Sequence, residues 1–547
     1  MHHKRWYKDK VFYQIWPRSF KDGDGDGMGD LWGVLDKLDY IQSLGCDGIW
    51  FSPLYPSPGA DCGYDISDYM DIDPAFGGME AFKQVLDAAH ERGMKVIMDL
   101  VINHTSDEHE WFQKSRQRID PYTDYYIWRP GKGKGNRLPN NWDSLFEGKA
   151  WTWDEERQEY YMHLFAVKQP DLNMDNPLVR EEVKKILRFW LDLGVDGFRE
   201  DVITFISKTE GLPNDRIMPA SRGLGLYNHG PHIHEYLQEF REVLKEYDCF
   251  AIGEAPMIDP TTALKYIDEQ NSELDMMIQF DTATADCFLS DYYPTKFSLK
   301  KLKKSFSKWQ KKLFNMAWNL LYLENHDHPR VISRYGDTRY WKQSAKTLAT
   351  CYLFQQGTAF VYQGQEIGMT NWEPYSADMY EDVQTRWQYE HTKGDEEKRL
   401  HKMWRCSRDS ARTPVQWDST EHAGFSTAKP WFYVNPNYCI INVAQQEADP
   451  DSILNFYRKA IQLRKSLSSV RFGNYKVYDI KSEELYMYSR QDSRQKILVV
   501  CSFTDAPVRF KPPRGFHLED GELVLQNYPD AEGTTLKPWE CRVYLWK

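Results

Sequence analysis

The stretch from Leu178 to Asp201, LVREEVKKILRFWLDLGVDGFRED, decides the fold. Apolar residues at helical spacing predict an amphipathic helix over Leu178–Leu193, and Gly194 follows at the position that favours a left-handed C-cap. A short, nearly continuously apolar strand, Val195–Phe198, comes directly after this glycine and is followed by charged residues. A strand that is apolar along its whole length must be covered on both faces, which is typical of a parallel α/β protein.

The same unit recurs along the chain. Gly93 stops the helical pattern Phe82–Arg92 just before another apolar run. Further helical patterns cover His232–Tyr247, Leu299–Leu313, Trp341–Phe354 and Ile453–Leu467. Eight strands alternate with these helices, which predicts the α/β class and a (β/α)8 TIM barrel. The strands are expected at Val11–Trp16, Gly48–Phe51, Lys95–Asn103, Val195–Phe198, Phe250–Glu254, Met276–Phe280, Trp318–Asn325 and Ala359–Tyr362.

Two connections are too long for a plain barrel and indicate additions to it. One follows the third strand, is rich in Trp, Tyr, Gly and Pro, and contains the strand-like Glu159–Phe165; the other follows the eighth strand. After Leu467 short alternating strands predict a small all-β domain. We therefore expect a barrel from residues 1–104 and 175–467, an inserted domain B at 105–174, and a C-terminal β-sandwich at 468–547.

Composition excludes several classes of protein. The 547 residues carry 69 basic and 81 acidic side chains, a net charge of −12, which disfavours a nucleic-acid partner. No apolar run is long enough for a membrane span, and the N-terminal residues lack the apolar core of a signal peptide. Nine cysteines without a CxxC pair favour reduced thiols and a cytoplasmic location. We expect a monomer or a weak homo-oligomer.

Charged residues stand where several barrel strands end, and in such barrels these ends face the active site. Arg199 and Asp201 are two residues apart and share one face of the fourth strand, so the arginine is expected to keep this carboxylate ionised, as a nucleophile requires. Glu254 ends an apolar strand, an environment that favours the protonated form and suits a general acid. Glycoside hydrolysis needs two such carboxyl groups, one that tends to be ionised and one that tends to be protonated. The sequence does not give the distance between these two carboxyl groups, which distinguishes a mechanism that retains the anomeric configuration from one that inverts it.

Taken together, these segments resemble the α-amylase family of glycoside hydrolases along essentially the whole chain, and more closely its oligo-1,6-glucosidase, dextran glucosidase and α-glucosidase branch. The resemblance implies a retaining mechanism with Asp201 as nucleophile, Glu254 as acid/base and Asp327 as the third carboxylate. The segments that carry it are Gly48–Pro53, Asp99–His104, Gln169–Asn173, Gly197–Asp201, Glu254, Asn325–Asp327 and Gly357–Gly364.

The resemblance also implies a pocket that holds one terminal glucose. Asp61 with Arg412 resembles the pair that closes such a pocket, and Arg408 is an alternative partner for Asp61. Tyr64 resembles the stacking platform beneath the sugar. The residues that match hydroxyl ligands of the sugar are His104, Arg199 and His326. The residues that match the pocket wall are Phe146, Phe165 and Gln169.

A closed pocket implies exo-action on a small oligosaccharide. In similar enzymes a Val after the nucleophile accompanies α-1,6 preference, and here that residue is Val202. We therefore expect an α-glucosidase that acts on isomaltose-like and panose-like substrates. The alternatives are an α-1,4-glucosidase or sucrose-cleaving enzyme, a trehalose-6-phosphate hydrolase, and a non-catalytic amylase-like binding protein.

The loop after the first strand, DGDGDGMGD over Asp22–Asp30, has acidic residues at alternate positions between glycines. It matches the first nine positions of an EF-hand loop, but Gly33 stands where the bidentate Glu would be. Related glucosidases carry a similar loop. We expect a structural Ca²⁺, with Mg²⁺ as the alternative ion, and no organic cofactor. The expected ligands are Asp22, Asp24, Asp26, the Met28 carbonyl and Asp30.

One residue departs from the family pattern. Glu200 occupies a position that is usually apolar in similar chains, and by strand alternation it should point toward the helices rather than into the pocket. This acid is therefore expected to affect packing more than catalysis.

Overall fold

A computed structural model describes residues 5–133, 135, 137–216, 222–270, 272–288 and 290–547. Its centre is an eight-stranded parallel sheet, which confirms the predicted barrel. The barrel strands, numbered first to eighth in chain order, are Val11–Ile15, Gly48–Phe51, Lys95–Leu100, Gly197–Glu200, Phe250–Glu254, Met276–Ile278, Leu320–Leu321 and Thr358–Tyr362.

The sheet is nearly closed. Each strand pairs in parallel with the next one in the chain, except that the sixth does not pair with the seventh, and the first also pairs with the eighth through Val11 and Ala359. The ends of this order are the sixth and seventh strands, and the Tyr322 hydroxyl bridges them by donating to the Gln279 carbonyl at 2.9 Å. Several strands are shorter than predicted; the third stops at Leu100, after which the chain leaves the sheet toward the C-terminal end of the barrel.

Helices cover the outside of the barrel. In Pro177–Leu193 the Asn176 side chain caps the first turn, and Gly194 ends the helix at φ 110° as predicted. Its buried side chains lie on one face, which packs on the barrel. The principal helices of the barrel layer are Leu31–Asp36, Leu38–Leu44, Gly78–Glu91, Pro177–Leu193, Ile233–Leu244, Pro260–Ile267, Leu299–Leu313, Trp341–Leu353 and Ile453–Ser466.

The connection after the third strand contains the helix Glu110–Arg116 and a three-stranded antiparallel sheet. The strands of this sheet are Trp128–Arg129, Trp151–Asp154 and Glu159–Met162. The last one ends earlier than the predicted Phe165, because the Asp171 carboxylate binds the Leu164 backbone N–H at 2.9 Å and draws the chain out of the sheet. Residues 163–171 therefore form a turn instead of a strand.

The connection after the eighth strand is mostly helical. Its helices are Val383–His391, Glu396–Cys406 and Val443–Ala448. The second of them packs on a hairpin that follows the sixth barrel strand and includes Ser290–Pro294. Shorter described helices are Leu224–Tyr227, Val331–Arg334 and Ser468–Phe472, and the first strand of the hairpin is Cys287–Phe288. Among the described helices, none is long and apolar enough to cross a membrane.

The C-terminal part is all-β, as predicted. A five-stranded antiparallel sheet packs on the barrel helix Trp341–Leu353, where the Thr347 hydroxyl donates to the Trp539 carbonyl at 2.7 Å. Lys303, from the preceding barrel helix, is buried and donates to three carbonyls of this part. The strands are Asn474–Tyr478, Leu485–Gln491, Lys496–Ser502, Glu522–Gln526 and Cys541–Trp546, with a smaller sheet of Val508–Arg509 and Thr535–Leu536.

Glu200 lies on the helix side of the fourth strand, as alternation predicts. Its side chain is buried, and its Oε2 has no hydrogen-bond partner among the described residues. Burial raises the pKa of Glu200 to about 8, although the nearby Arg241 opposes this shift. The carboxyl group is therefore protonated at neutral pH, which lowers the cost of keeping it in an apolar layer.

Candidate active site

Three carboxylates converge on one guanidinium at the C-terminal end of the barrel. Arg199 Nη1 lies 2.6 Å from Asp99 Oδ1 and 2.8 Å from Asp201 Oδ1, and its Nη2 lies 2.8 Å from Glu254 Oε1. The third, fourth and fifth strands are adjacent in the sheet, so their ends deliver these side chains to one place. The structure thus brings together Asp201 and Glu254, the predicted nucleophile and acid/base.

The electrostatics of this cluster differ from the sequence expectation. Burial raises the pKa of Asp201, and Arg199 opposes that shift without cancelling it. Burial likewise raises the pKa of Asp99 to about 6. Arg199 favours the ionised form of Asp201, as expected, but it also serves Asp99 and Glu254 and does not outweigh the effect of burial. A shared proton lowers the repulsion within such a group.

Asp327 occupies a more positive environment. Its Oδ1 lies 3.2 Å from Arg408 Nη1 and 3.4 Å from Arg412 Nη2, and its Oδ2 lies 3.1 Å from His326 Nε2. Burial alone would raise the pKa of Asp327, but these neighbours outweigh it and hold the pKa below its usual range. This carboxylate is therefore ionised at neutral pH.

Tyr64 and His326 form one plate of parallel rings. The angle between the two rings is 4° and their centroids are 5.4 Å apart, and the Tyr64 hydroxyl lies 2.5 Å from His326 Nε2 and 2.9 Å from Asp99 Oδ2. The Gln14 amide donates to His326 Nδ1 at 2.8 Å, so the neutral imidazole carries its proton on Nε2. Burial lowers the pKa of His326, which keeps it neutral. Trp16 lies parallel to the imidazole, with centroids 5.2 Å apart, and supports the plate.

Asp61 contacts residues from two other segments of the chain. The Gln169 amide donates to Asp61 Oδ2 at 3.1 Å, and the same nitrogen lies 3.1 Å from His104 Nε2. Arg408 Nη2 lies 3.4 Å from Asp61 Oδ1. The expected pairing of Asp61 with Arg412 is therefore wrong: Arg412 instead binds Asp327 and the His326 carbonyl. Burial raises the pKa of Asp61 to about 6, against the effect of Arg408, and lowers that of His104 to about 4.

The predicted aromatic wall is present. The Phe146 ring lies under the Arg408 guanidinium, 4.9 Å from its centre, and packs edge-on against Phe165 at 5.1 Å. Phe165 in turn contacts the His104 ring at 5.0 Å. Apolar side chains around charged ones exclude water and strengthen the electrostatic interactions within the site.

Val202 has an unusual backbone. It adopts φ 36° and ψ 39°, a left-handed conformation that β-branched residues rarely take. In this conformation the Val202 N–H donates to Glu254 Oε2, 3.2 Å away. Val202 therefore helps to hold the carboxyl group of Glu254. Strained residues of this kind concentrate at functional sites.

Sequence reasoning missed two residues that hold the pocket together. Asp382 is buried and ion-pairs with Arg408 through Nε at 3.0 Å and through a short contact to Nη2. It comes from the long connection after the eighth strand, where no strand periodicity marks it. Lys208 is also buried, donates to Asn103 and pairs with Asp171 at 2.8 Å. Both partners of Lys208 lie in segments that the sequence marked, Asn103 at the end of the predicted third strand and Asp171 within Gln169–Asn173.

The acidic loop after the first strand is a separate feature. One carboxylate oxygen each of Asp22, Asp24 and Asp30 lie within 4.8 Å of one another. Asp26 lies outside this cluster, and its carboxylate accepts the Met28 N–H at 2.7 Å. Burial opposes ionisation of Asp22, but hydrogen bonds from Ser426 and two glycine N–H groups outweigh it and lower its pKa.

Comparison with known proteins agrees with this geometry. Residues 14–473 match the family model of the α-amylase catalytic domain. The chain is 46% identical over 555 residues to an oligo-1,6-glucosidase of Parageobacillus thermoglucosidasius, with 98% of each chain covered. The structure matches a trehalose-6-phosphate hydrolase of Bacillus licheniformis with a TM-score of 0.93 and 41% identity, covering 99% of this chain and 100% of that one. It also matches trehalulose synthase MutB of Pseudomonas mesoacidophila with a TM-score of 0.93 and 40% identity, covering 99% of both chains.

The chain therefore belongs to the α-amylase catalytic-domain family. Its similarity to these relatives extends over almost the whole length, including the C-terminal sheet.

Proposed function

We propose that the protein is an exo-acting, retaining α-glucosidase that releases glucose from the non-reducing end of short α-glucosides, with a preference for α-1,6 bonds. The observation that carries this proposal is the convergence of Asp201 and Glu254 on the two terminal nitrogens of Arg199. A retaining mechanism needs two carboxyl groups about 5–5.5 Å apart, and two acids held by one guanidinium are close enough for it.

The first half-reaction forms a glucosyl-enzyme. Glu254 donates its proton to the glycosidic oxygen while an Asp201 oxygen attacks the anomeric carbon, so the C–O bond to the leaving sugar breaks and an ester bond forms. In the second half, Glu254 removes a proton from water, the water oxygen attacks the same carbon, and Asp201 leaves as a carboxylate. This mechanism needs a proton on Glu254 and an ionised Asp201 when the substrate is bound, and the ion pair with Arg199 favours the ionised form of Asp201.

The remaining residues bind the sugar. Asp327 is fully charged and suits hydrogen bonds to sugar hydroxyls that strengthen as positive charge develops at the anomeric carbon. The neutral His104 can exchange a hydrogen bond with a sugar hydroxyl, whereas the proton of His326 faces the Tyr64 hydroxyl and Asp327. Tyr64 offers a ring against the pyranose C–H face. The contact between Asp61 and Arg408 supports exo-action, because it resembles the pair that closes the pocket around one terminal glucose in similar enzymes.

The linkage preference rests on two supports. Val202 follows the nucleophile, as in similar enzymes that favour α-1,6 bonds, and relatives named oligo-1,6-glucosidase are 41–46% identical over the full chain. The structural similarity to a trehalose-6-phosphate hydrolase makes that activity the second candidate. An α-1,4-glucosidase that also cleaves sucrose is the third.

The test is kcat/KM on the purified protein for isomaltose, maltose, sucrose and trehalose 6-phosphate, measured side by side. We expect isomaltose to lead by about tenfold or more, which corresponds to ~1.4 kcal/mol of transition-state binding. If trehalose 6-phosphate leads, the phosphate-specific activity replaces the proposal; if none of the four is cleaved, the α-glucosidase assignment fails.

We also propose a structural Ca²⁺ in the acidic loop. Three converging carboxylates of which two are buried fit a hard dication, which would offset their mutual repulsion. Asp22, Asp24 and Asp30 would hold the ion, with the Met28 carbonyl and a rearranged Asp26 as further candidates, and Mg²⁺ is the alternative ion. A cytoplasmic location and a monomeric or weakly associating state also remain proposals; the former is supported by nine unpaired cysteines.

A further inference from the structure

A groove of about 510 Å³ lies on the outer side of the pocket wall. We call it the outer groove. Charged and aromatic residues that line it include Arg18, Glu147, Arg386, Trp387, Glu390 and Trp431. Its size falls within the range of small-molecule sites.

The outer groove and the catalytic pocket share their walls. Ala60 and Cys62 line the groove while Asp61, between them, binds Gln169 on the pocket side. The same holds for Glu381 and Val383, which flank Asp382. In a third segment, Glu147 lines the groove and the preceding Phe146 lines the pocket. Three chain segments therefore contribute residues to both the catalytic pocket and the groove.

Three polar groups in the groove lack a partner. Within the described part of the chain, the Arg18 side chain makes no hydrogen bond or ion pair, and its half-buried guanidinium lies 5.8 and 6.0 Å from the ring centres of Phe76 and Trp431. The Trp387 indole N–H and the Glu390 carboxylate also have no partner among these residues. Unpaired polar groups at the wall of a cavity indicate capacity for a polar ligand.

The groove also offers aromatic faces. Trp387 stacks on His391 with centroids 3.9 Å apart and an angle of 17°, and no other described ring covers its second face. Trp431 is half-buried and is fixed by a hydrogen bond from its Nε1 to the Ser19 hydroxyl at 3.1 Å. Indole faces bind the C–H faces of sugar rings through dispersion and the ring quadrupole.

Charge distinguishes between ligand classes. Two arginines face three glutamates in the lining, a net charge of −1, which disfavours an anion such as phosphate. A mixture of donors and acceptors beside indole rings instead suits a neutral polyhydroxylated ligand.

We propose that the outer groove is a second, non-catalytic binding site for a neutral glucoside, either the glucose product or a short oligosaccharide. The sugar would stack on Trp387 and exchange hydrogen bonds with Arg18 and Glu390. It would lie against the back of the wall that carries Asp61 and Asp382. The choice of isomaltose as the probe rests on the proposed function.

Equilibrium dialysis with radiolabelled isomaltose tests this site in the full chain carrying Asp201→Ala, which cannot turn the sugar over. We expect two binding sites in this background, and one after adding Trp387→Ala. Adding Glu390→Gln, an exposed and conservative change, should weaken the second site about tenfold without removing it. Tyr375→Ala is the matched control, because Tyr375 is 81% exposed and does not line the groove. Tm values show whether each variant is folded.

The outcomes separate the two proposals. A single site that is insensitive to Trp387→Ala contradicts the outer-groove site and leaves the catalytic pocket intact. A single site that Trp387→Ala removes supports the groove and contradicts substrate binding in the catalytic pocket. If phosphate binds in the groove and isomaltose does not displace the phosphate, the assignment to a neutral glucoside is wrong.

Discussion

Replacing Glu200 by Gln should remove a pH-dependent loss of stability. The carboxyl group is buried with one oxygen unpartnered, and its pKa is raised by burial from 4.5 to about 8. Because the folded-state pKa lies above that of the unfolded chain, the folded protein keeps a proton that the unfolded chain has released. Stability therefore falls as pH rises between about 4.5 and 8.

The magnitude follows from the shift. Three and a half pH units at about 1.4 kcal/mol per unit give an upper limit of about 5 kcal/mol, reached above the folded-state pKa. Gln resembles the protonated acid in shape and does not titrate. The stability difference between Glu200→Gln and the wild type should thus be small at pH ~5 and grow by about 1.4 kcal/mol per pH unit until pH ~8.

Two assays measure this effect. At pH ~6.5, unfolding in urea should release about one proton more from the wild type than from Glu200→Gln, which a pH-stat titration detects. Urea midpoints of the two proteins should diverge as pH rises. Glu532→Gln, which alters an exposed carboxylate, is the control and should run parallel to the wild type. Equal proton release and parallel stability profiles for Glu200→Gln and the wild type would refute the reasoning.

Three further predictions concern the catalytic residues and the acidic loop. Asp201→Ala should lower kcat by about 10⁴-fold or more while Tm stays the same or rises, because one of three acids around Arg199 is removed; residual activity within tenfold of wild type would disprove its role as nucleophile. Asp382→Asn should lower kcat/KM about 10- to 100-fold, since Arg408 loses its buried partner; unchanged kinetics would show that Asp382 does not position this arginine. Exhaustive chelation should lower Tm clearly and have only a minor effect on the initial rate. An unchanged Tm, measured by calorimetry, would contradict the calcium proposal.

Much of the fold could be predicted because its signals are local. Apolar strands bounded by glycines and amphipathic helices appear directly in the chain, and Leu299–Leu313 was predicted with its observed bounds. Strand ends were less predictable. Leu164 was expected in a strand, but the distant Asp171 carboxylate takes its N–H, and such a contact is not encoded in local periodicity.

The site shows the same division. Asp201 and Glu254 stand at the ends of barrel strands, where barrel geometry fixes their direction, so the sequence was sufficient to bring them together. Asp327 lies beyond the end of the observed seventh strand and was predicted from the resemblance to the family pattern. The partner of Asp61 was not predictable, because Arg408 and Arg412 lie one helical turn apart and both point toward the pocket. Their separate tasks depend on Asp382, which binds Arg408 most closely and reaches the site from an irregular connection.

The most direct test of the central claim is the anomeric form of the first glucose released. Proton NMR during the first seconds of isomaltose hydrolysis distinguishes the two anomers before they interconvert. Retention through an Asp201 glucosyl-enzyme predicts that α-glucose appears first and β-glucose grows only by mutarotation. Initial release of β-glucose would show inversion and contradict the assignment of Asp201 and Glu254 as nucleophile and acid/base.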